Sequence, residues 1–334
     1  MKKHNLMLLG ALGLLLASCS NEEANNPTTN GNVTFSVNLP KNLTTRDIGD
    51  GKSATNLKVI VYSLTSSSQE TYTYQFTNNS TFPNNEITTN VSLELVNGKS
   101  YKIVFFATTT AADAVYSITE ATGTMTVDYS KMTSDNNKAD AYDCFYGSYE
   151  ITNLSNSVSK DVTLSRPIAQ INWGTTLPTD PNTSNFTSVF GTDREYILTS
   201  LTATGLYDTF DLLNGTASIS EAPTQTSITL SNFEVPGNEF TINETSYTNI
   251  AMQYVLAPKD QSTNLELTLT ITDGRNSTAT SFIKTIEVSA VPVQANYQTN
   301  IYGSLLTTNV SFNVTKSNTW SPYSPNNVSY PKSN

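Results

Sequence analysis

Histidine occurs once in the 334 residues, as His4, and cysteine twice, as Cys19 and Cys144. His4 lies in an N-terminal stretch that reads as an export signal and Cys19 at its exit, which leaves Cys144 alone, so the mature chain is not expected to build a His-based catalytic dyad, a Cys/His zinc site or an internal disulfide. Charged residues make up 14% of the chain, against about 25% in ordinary globular domains. The balance is acidic, with a formal charge of −10, so the basic face that phosphates require is missing and nucleic acid is not an expected partner. No Asp-x-Asp-x-Asp-Gly calcium loop and no other cofactor motif is present. Carboxylates are the only acid/base pairs available in quantity, as a glycoside hydrolase would use, and no Asp or Glu stands out by its context. Catalytic, cofactor and metal residues are therefore not expected, and the chain reads as a non-enzyme.

What is present begins with a bipartite N-terminus. Lys2 and Lys3 precede an apolar run from Leu6 to Leu16, the length of a secretory core and shorter than the ~20 residues a membrane span needs. Residues 1–18 thus read as an export signal. Its exit, Leu16-Ala17-Ser18-Cys19, resembles the lipobox of bacterial lipoproteins. That resemblance implies diacylglycerol on the Cys19 thiol, cleavage just before it, and an acyl chain such as palmitate on the new amine. Each buried methylene contributes ~0.8 kcal/mol, so several chains would anchor the protein to the outer membrane almost irreversibly. Ser20-Asn21-Glu22-Glu23 resembles the acidic tract that Bacteroidota lipoproteins use for surface display. Loss of Lys2 and Lys3 takes the charge to −12, which favours solubility. Residues 19–32 read as a flexible tether.

Period-2 alternation dominates the chain beyond the tether. Val33, Phe35, Val37 and Leu39 alternate with polar neighbours, as do Val91, Leu93 and Leu95, the pattern of half-buried strands. The runs at 57–64, 71–76, 101–107 and 124–129 add β-branched and aromatic residues, and the same texture continues through 200–314. Asn97-Gly98 between two runs predicts a hairpin. Helical periodicity is scarce, with short helices expected at 109–122 and 185–198. The expectation is an all-β protein of two tandem antiparallel β-sandwich domains, 33–165 and 166–334, the second ending in a Pro-, Asn- and Ser-rich tail. Cys144 reads as a small buried hydrophobe or a reactive thiol. Trp173 and Trp320 read as core aromatics or a sugar platform.

Several segments together resemble the fimbrillin-like surface lipoproteins of Bacteroidota, the type V pilin superfamily. They are the lipobox at Cys19, "LSRPIAQINW" (164–173), "YVLAP" (254–258) and "VPVQANYQTNIYGSLLT" (291–307), in the family's order. The resemblance implies transthyretin-like sandwiches and assembly into fimbriae on the outer surface. It also implies an arginine-specific surface protease that removes the first strand, whose groove then takes a strand from another subunit. Carried over here, the removable strand is Val33, Phe35, Val37 and Leu39. The processing bond is Arg46-Asp47, although Arg46 reads equally as a solvated loop residue. The candidate donor strand is Val310, Phe312 and Val314, which leaves the rest of the tail as an extension, since Pro322, Pro325 and Pro331 cannot donate to a ladder. Arg166-Pro167 is expected to mark a bend at an edge strand, with the guanidinium pairing a carboxylate or carbonyls, and Gly303 a bulge or tight bend. The competing function is a monomeric surface lipoprotein that binds glycan or host protein without polymerising.

Overall fold

The computed structural model describes residues 29–40, 54–66, 71–83, 86–132, 139–176, 197–219, 226–233, 239–273, 283–305, 310–317 and 325–328. Their structure is all-β, with three short 3₁₀ turns and no α-helix among the described residues. The first half contributes β1 (Asn30–Asn38), β2 (Asn56–Ser66), β3 (Thr71–Thr81), β4 (Thr88–Val96), β5 (Tyr101–Thr108), β6 (Tyr116–Thr119), β7 (Thr124–Val127), β8 (Cys144–Ile151) and β9 (Val158–Thr163). The second contributes β10 (Ile168–Thr175), β11 (Ile197–Thr204), β12 (Thr209–Asp211), β13 (Thr216–Ser218), β14 (Thr226–Phe233), β15 (Glu239–Ile242), β16 (Thr245–Leu256), β17 (Thr263–Asp273), β18 (Ile283–Val293), β19 (Gln298–Ser304), β20 (Ser311–Ser317) and β21 (Pro325–Val328).

Five sheets result, ordered β4-β1-β9, β3-β2-β5-β8, β13-β12-β7-β6, β14-β11-β17-β18 and β15-β16-β10-β19-β20-β21. The alternation in β1 and β4 is the reason each buries one face only. In β5 the run Tyr-Lys-Ile-Val-Phe-Phe-Ala-Thr is buried throughout, because its sheet is a middle layer. Ile103, Phe105 and Ala107, with Leu57, Val59 and Val61 of β2, pack against β1 and β4 in one hydrophobic cluster. Val104 and Phe106, with Ile60 and Tyr62, point the other way, into a second cluster shared with β10, β11, β16 and β17. The sheet β13-β12-β7-β6 is likewise built from both halves, through Phe210 of β12 opposite Met125 of β7.

Three local expectations are corrected. Asn97-Gly98 does turn, with Gly98 at φ 80° as its left-handed conformation requires. It does not close a hairpin, however, because β4 pairs with β1 while β5 pairs with β2 and β8. The turn passes the chain from one sheet to the other, and Gly98 N–H donates to the Leu154 carbonyl at 2.6 Å rather than across a two-strand ladder. The Ala-rich stretch 109–122 holds no α-helix: a 3₁₀ turn at Ala112–Ala114 leads straight into β6. Tyr116 and Ile118 follow the period of a strand, and pairing with β7 overrides the helix propensity of the alanines. The expected tail after β20 also includes a strand. β21 pairs with β20, and Pro325 takes its first position, where a missing N–H is tolerated. The other expected helix, 185–198, lies mostly outside the described residues, and its last two positions open β11.

Candidate strand-acceptor site

β1 is the middle strand of its sheet. It runs antiparallel to β4, with Val33 opposite Leu93 and Phe35 opposite Val91. It runs parallel to β9, with Val33 opposite Val158 and Val37 opposite Val162. Neither β4 nor β9 has another ladder partner among the described residues. The sheet therefore exists through β1, and any segment that occupies this slot must satisfy two rows of backbone groups at once.

Val33, Phe35, Val37 and Leu39 are each 0% exposed. Phe35 has the most defined surroundings, meeting Phe105 edge-on at 5.0 Å between ring centroids and Tyr149 at 5.5 Å. Burying each of these four side chains is worth roughly 1.5–3 kcal/mol. Beyond Asn38 the slot is closed by two backbone hydrogen bonds of 2.8 Å, from Leu39 N–H to the Ile87 carbonyl and from Leu164 N–H to the Asn38 carbonyl. At the other end Asn97 N–H donates to the Thr29 carbonyl at 3.0 Å, and the Asn97 amide nitrogen to the Thr29 hydroxyl at 3.1 Å. Cys19, Arg46 and Asp47 lie outside the described residues.

Two residues beyond Leu164, whose N–H bonds Asn38 at the end of β1, Arg166 enters a buried ion pair. Arg166 Nε donates to Asp143 Oδ1 at 2.8 Å and Arg166 Nη2 to Asp143 Oδ2 at 2.6 Å, with both side chains buried. The guanidinium also lies 4.6 Å from the Phe145 ring centroid. Arg166 does find its carboxylate, but the next strand is no edge: β10 lies between β16 and β19. Cys144, which follows Asp143 in the chain, is fully buried. Burial, followed by the charge of Asp143, pushes its thiol well above the ordinary 9.0. A thiol in that environment stays protonated and inert. Sequence reasoning missed Asp143 and Tyr149, since nothing near them in the chain signals that β8 brings one to Arg166 and the other to Phe35.

The segment expected to donate is itself held in a sheet. Phe312 and Val314 belong to β20, which lies between β19 and β21. Val314 is buried, while Val310 and Phe312 are half-buried against the second cluster. Gly303 of β19 faces Phe312 so closely that a Cβ there would collide with the Ser311 carbonyl oxygen, so its role is close approach of the two strands. Trp173 is wholly buried in the core and cannot offer a face to a sugar. Trp320 lies outside the described residues.

A family model described as a family of unknown function, DUF6562, matches residues 25–324. The chain belongs to that family. No curated protein matches the sequence. Among solved structures, this DUF6562 chain is similar to a candidate cell-adhesion protein from Parabacteroides distasonis, at 13% identity, TM-score 0.49, and coverage of 88% of this chain and 98% of the other. A candidate adhesin from Bacteroides thetaiotaomicron shares 11% identity at TM-score 0.48, covering 87% and 97%. The fimbrial anchor protein Mfa2 from Porphyromonas gingivalis shares 11% identity at TM-score 0.42, covering 82% and 90%.

Proposed function

We propose that the protein is a surface-displayed lipoprotein that serves as a structural or accessory subunit of fimbriae and contributes to adhesion. In this reading its N-terminal and C-terminal sandwiches divide at 165/166, lipid on Cys19 anchors it to the outer membrane, and an arginine-specific protease cuts after Arg46. Removal of β1 then lets a strand from another fimbrial subunit take its place. The observation that carries the reading is the position of β1, which is the sole ladder partner of β4 and β9 among the described residues and, with Leu39 just after it, carries four fully buried side chains. An empty slot of this kind exposes apolar pockets and two unpaired edges, and an incoming strand satisfies both.

The confinement of β20 between β19 and β21 favours a subunit that accepts a strand over one that also donates Val310–Val314. Donation would require β20 to leave a sheet in which Val314 is core. An accessory, tip or anchor position fits this better than a place in the shaft. The competing reading, a monomeric lipoprotein that captures glycan or host protein, loses Trp173 as a platform.

The test is the intact mass and first residue of the protein taken from the native outer surface. The proposal expects a start at Asp47 with the lipid gone and the subunit in heat-labile oligomers. A start at acylated Cys19, with the Val33 strand attached and the protein monomeric, would sink the strand-exchange reading and leave the surface-binding one.

A further inference from the structure

The slot that holds β1 is not uniform along its length. Of the four inward side chains, Phe35 meets two aromatic walls, Phe105 of β5 and Tyr149 of β8, both edge-on, at 70° and 65°. These walls belong to the facing sheet, where β5 lies between β2 and β8 and owes nothing to β1 for its ladder. The rims, β4 and β9, have no ladder partner but that strand among the described residues.

Register is set by this asymmetry. A strand that slips by one residue turns its polar side chains into the core and is rejected along its whole length. A slip by two keeps the alternation and is not rejected by patterning at all. It would place an aromatic ring where Val33 or Val37 sits and leave an aliphatic group between Phe105 and Tyr149. A pocket that differs in shape from its neighbours is what separates these two registers.

We propose that the Phe105–Tyr149 pocket is the specificity determinant of the slot. It selects an uncharged extended segment of a second polypeptide that carries Phe at the Phe35 position and β-branched aliphatic residues two positions to either side. This rests on the strand-exchange reading above. The segment Val310-Ser311-Phe312-Asn313-Val314 has the same spacing as Val33-Thr34-Phe35-Ser36-Val37, so its isolated peptide meets the requirement even though β20 is engaged within its own sheet.

The experiment refolds the full mature chain carrying Phe35→Asp, which evicts its own strand, with excess peptide and measures the peptide retained after gel filtration. The peptides are residues 30–40, the same peptide with Phe35→Ala, the same with Phe and Val33 exchanged, and residues 308–315. A second chain carrying Val37→Asp, which evicts the same strand from another position, is refolded in parallel with the same peptides, and retention is read by intact-complex mass, which covers the case in which Phe35→Asp does not refold. The 30–40 and 308–315 peptides are expected to be retained at least about tenfold better than the Ala and exchanged versions, since an aromatic pair contributes beyond its burial. Equal retention of all four would overturn the pocket's role while leaving strand exchange standing. Retention of none, by either chain, would remove the strand-exchange reading and this inference with it.

Discussion

Arg166 and Asp143 carry opposite charges in a place where water reaches neither, at 3% and 0% exposure. The three nitrogen–oxygen contacts of 2.6–3.0 Å hold the guanidinium on the carboxylate while Phe145 covers its face. Removing one partner strands the other charge, so Arg166→Met is expected to cost about 3–5 kcal/mol. Replacing both by apolar residues is expected to cost much less, and urea unfolding of the two single variants and the double variant measures the difference. Buried titratable groups nearby add a pH dependence. Burial lifts the Cys144 thiol and the Tyr116 and Tyr129 hydroxyls above their ordinary values. Groups with raised pKa in the folded state contribute stability that is full below the unfolded values of 9.0 and 10.0 and is lost as pH rises towards the folded ones. The urea midpoint is therefore expected to fall between about pH 9 and 11, and Cys144→Ala to flatten the first part of that fall. An unchanged midpoint across this window would contradict the burial of these groups as the cause.

At the scale of elements, β1 was legible because one buried face writes a period of two into the sequence. Alternation picks out its inward Val33, Phe35 and Val37, and Leu39 just beyond its end. Phe35→Ala is expected to destabilise the chain by about 3–5 kcal/mol through the cavity left against Phe105 and Tyr149, and Ser36→Ala on the opposite face by less than about 0.5 kcal/mol. Thermal unfolding of both variants checks the contrast. The neighbours of β1 were not legible. A parallel partner as far downstream as Val158–Thr163 leaves no local trace, so β9 and its pairing with β1 come only from the fold. The Asn97-Gly98 turn misled for the same reason: a tight turn dictates a change of direction, and which sheet the next strand joins depends on partners elsewhere.

For the whole molecule, the middle sheet ties the halves together. Ile60, Tyr62, Val104 and Phe106 are buried by residues from beyond 166. Two tyrosines act as fasteners between early and late segments: Tyr129 donates to the Tyr207 carbonyl at 2.6 Å and accepts from Leu256 N–H at 2.9 Å, and Tyr146 donates to the Leu212 carbonyl at 2.8 Å. Tyr129→Phe leaves buried backbone groups unpaired and is expected to cost about 1–3 kcal/mol, read from the shift in urea midpoint. A fragment of residues 29–165 is expected to bind a hydrophobic dye and to associate, since it bares the outer face of β2 and β5. A monomeric fragment with no dye binding would show that the first half needs no cover.

The sequence by itself determined the strand-rich class, the inward residues of β1, the burial of Cys144 as one of its two readings, and the absence of the residues that most catalysis requires. Alternation and composition are local, and each strand reports its own buried face. Only the tertiary structure decided that β1 is the spine of a three-stranded sheet, that Phe105 and Tyr149 form a pocket around Phe35, that Asp143 answers Arg166, and that β20 is enclosed by β19 and β21. The first three join residues well separated in the chain, where nothing in either segment alone encodes the other, and the last turns on a short proline-led strand, β21, that carries no alternation of its own.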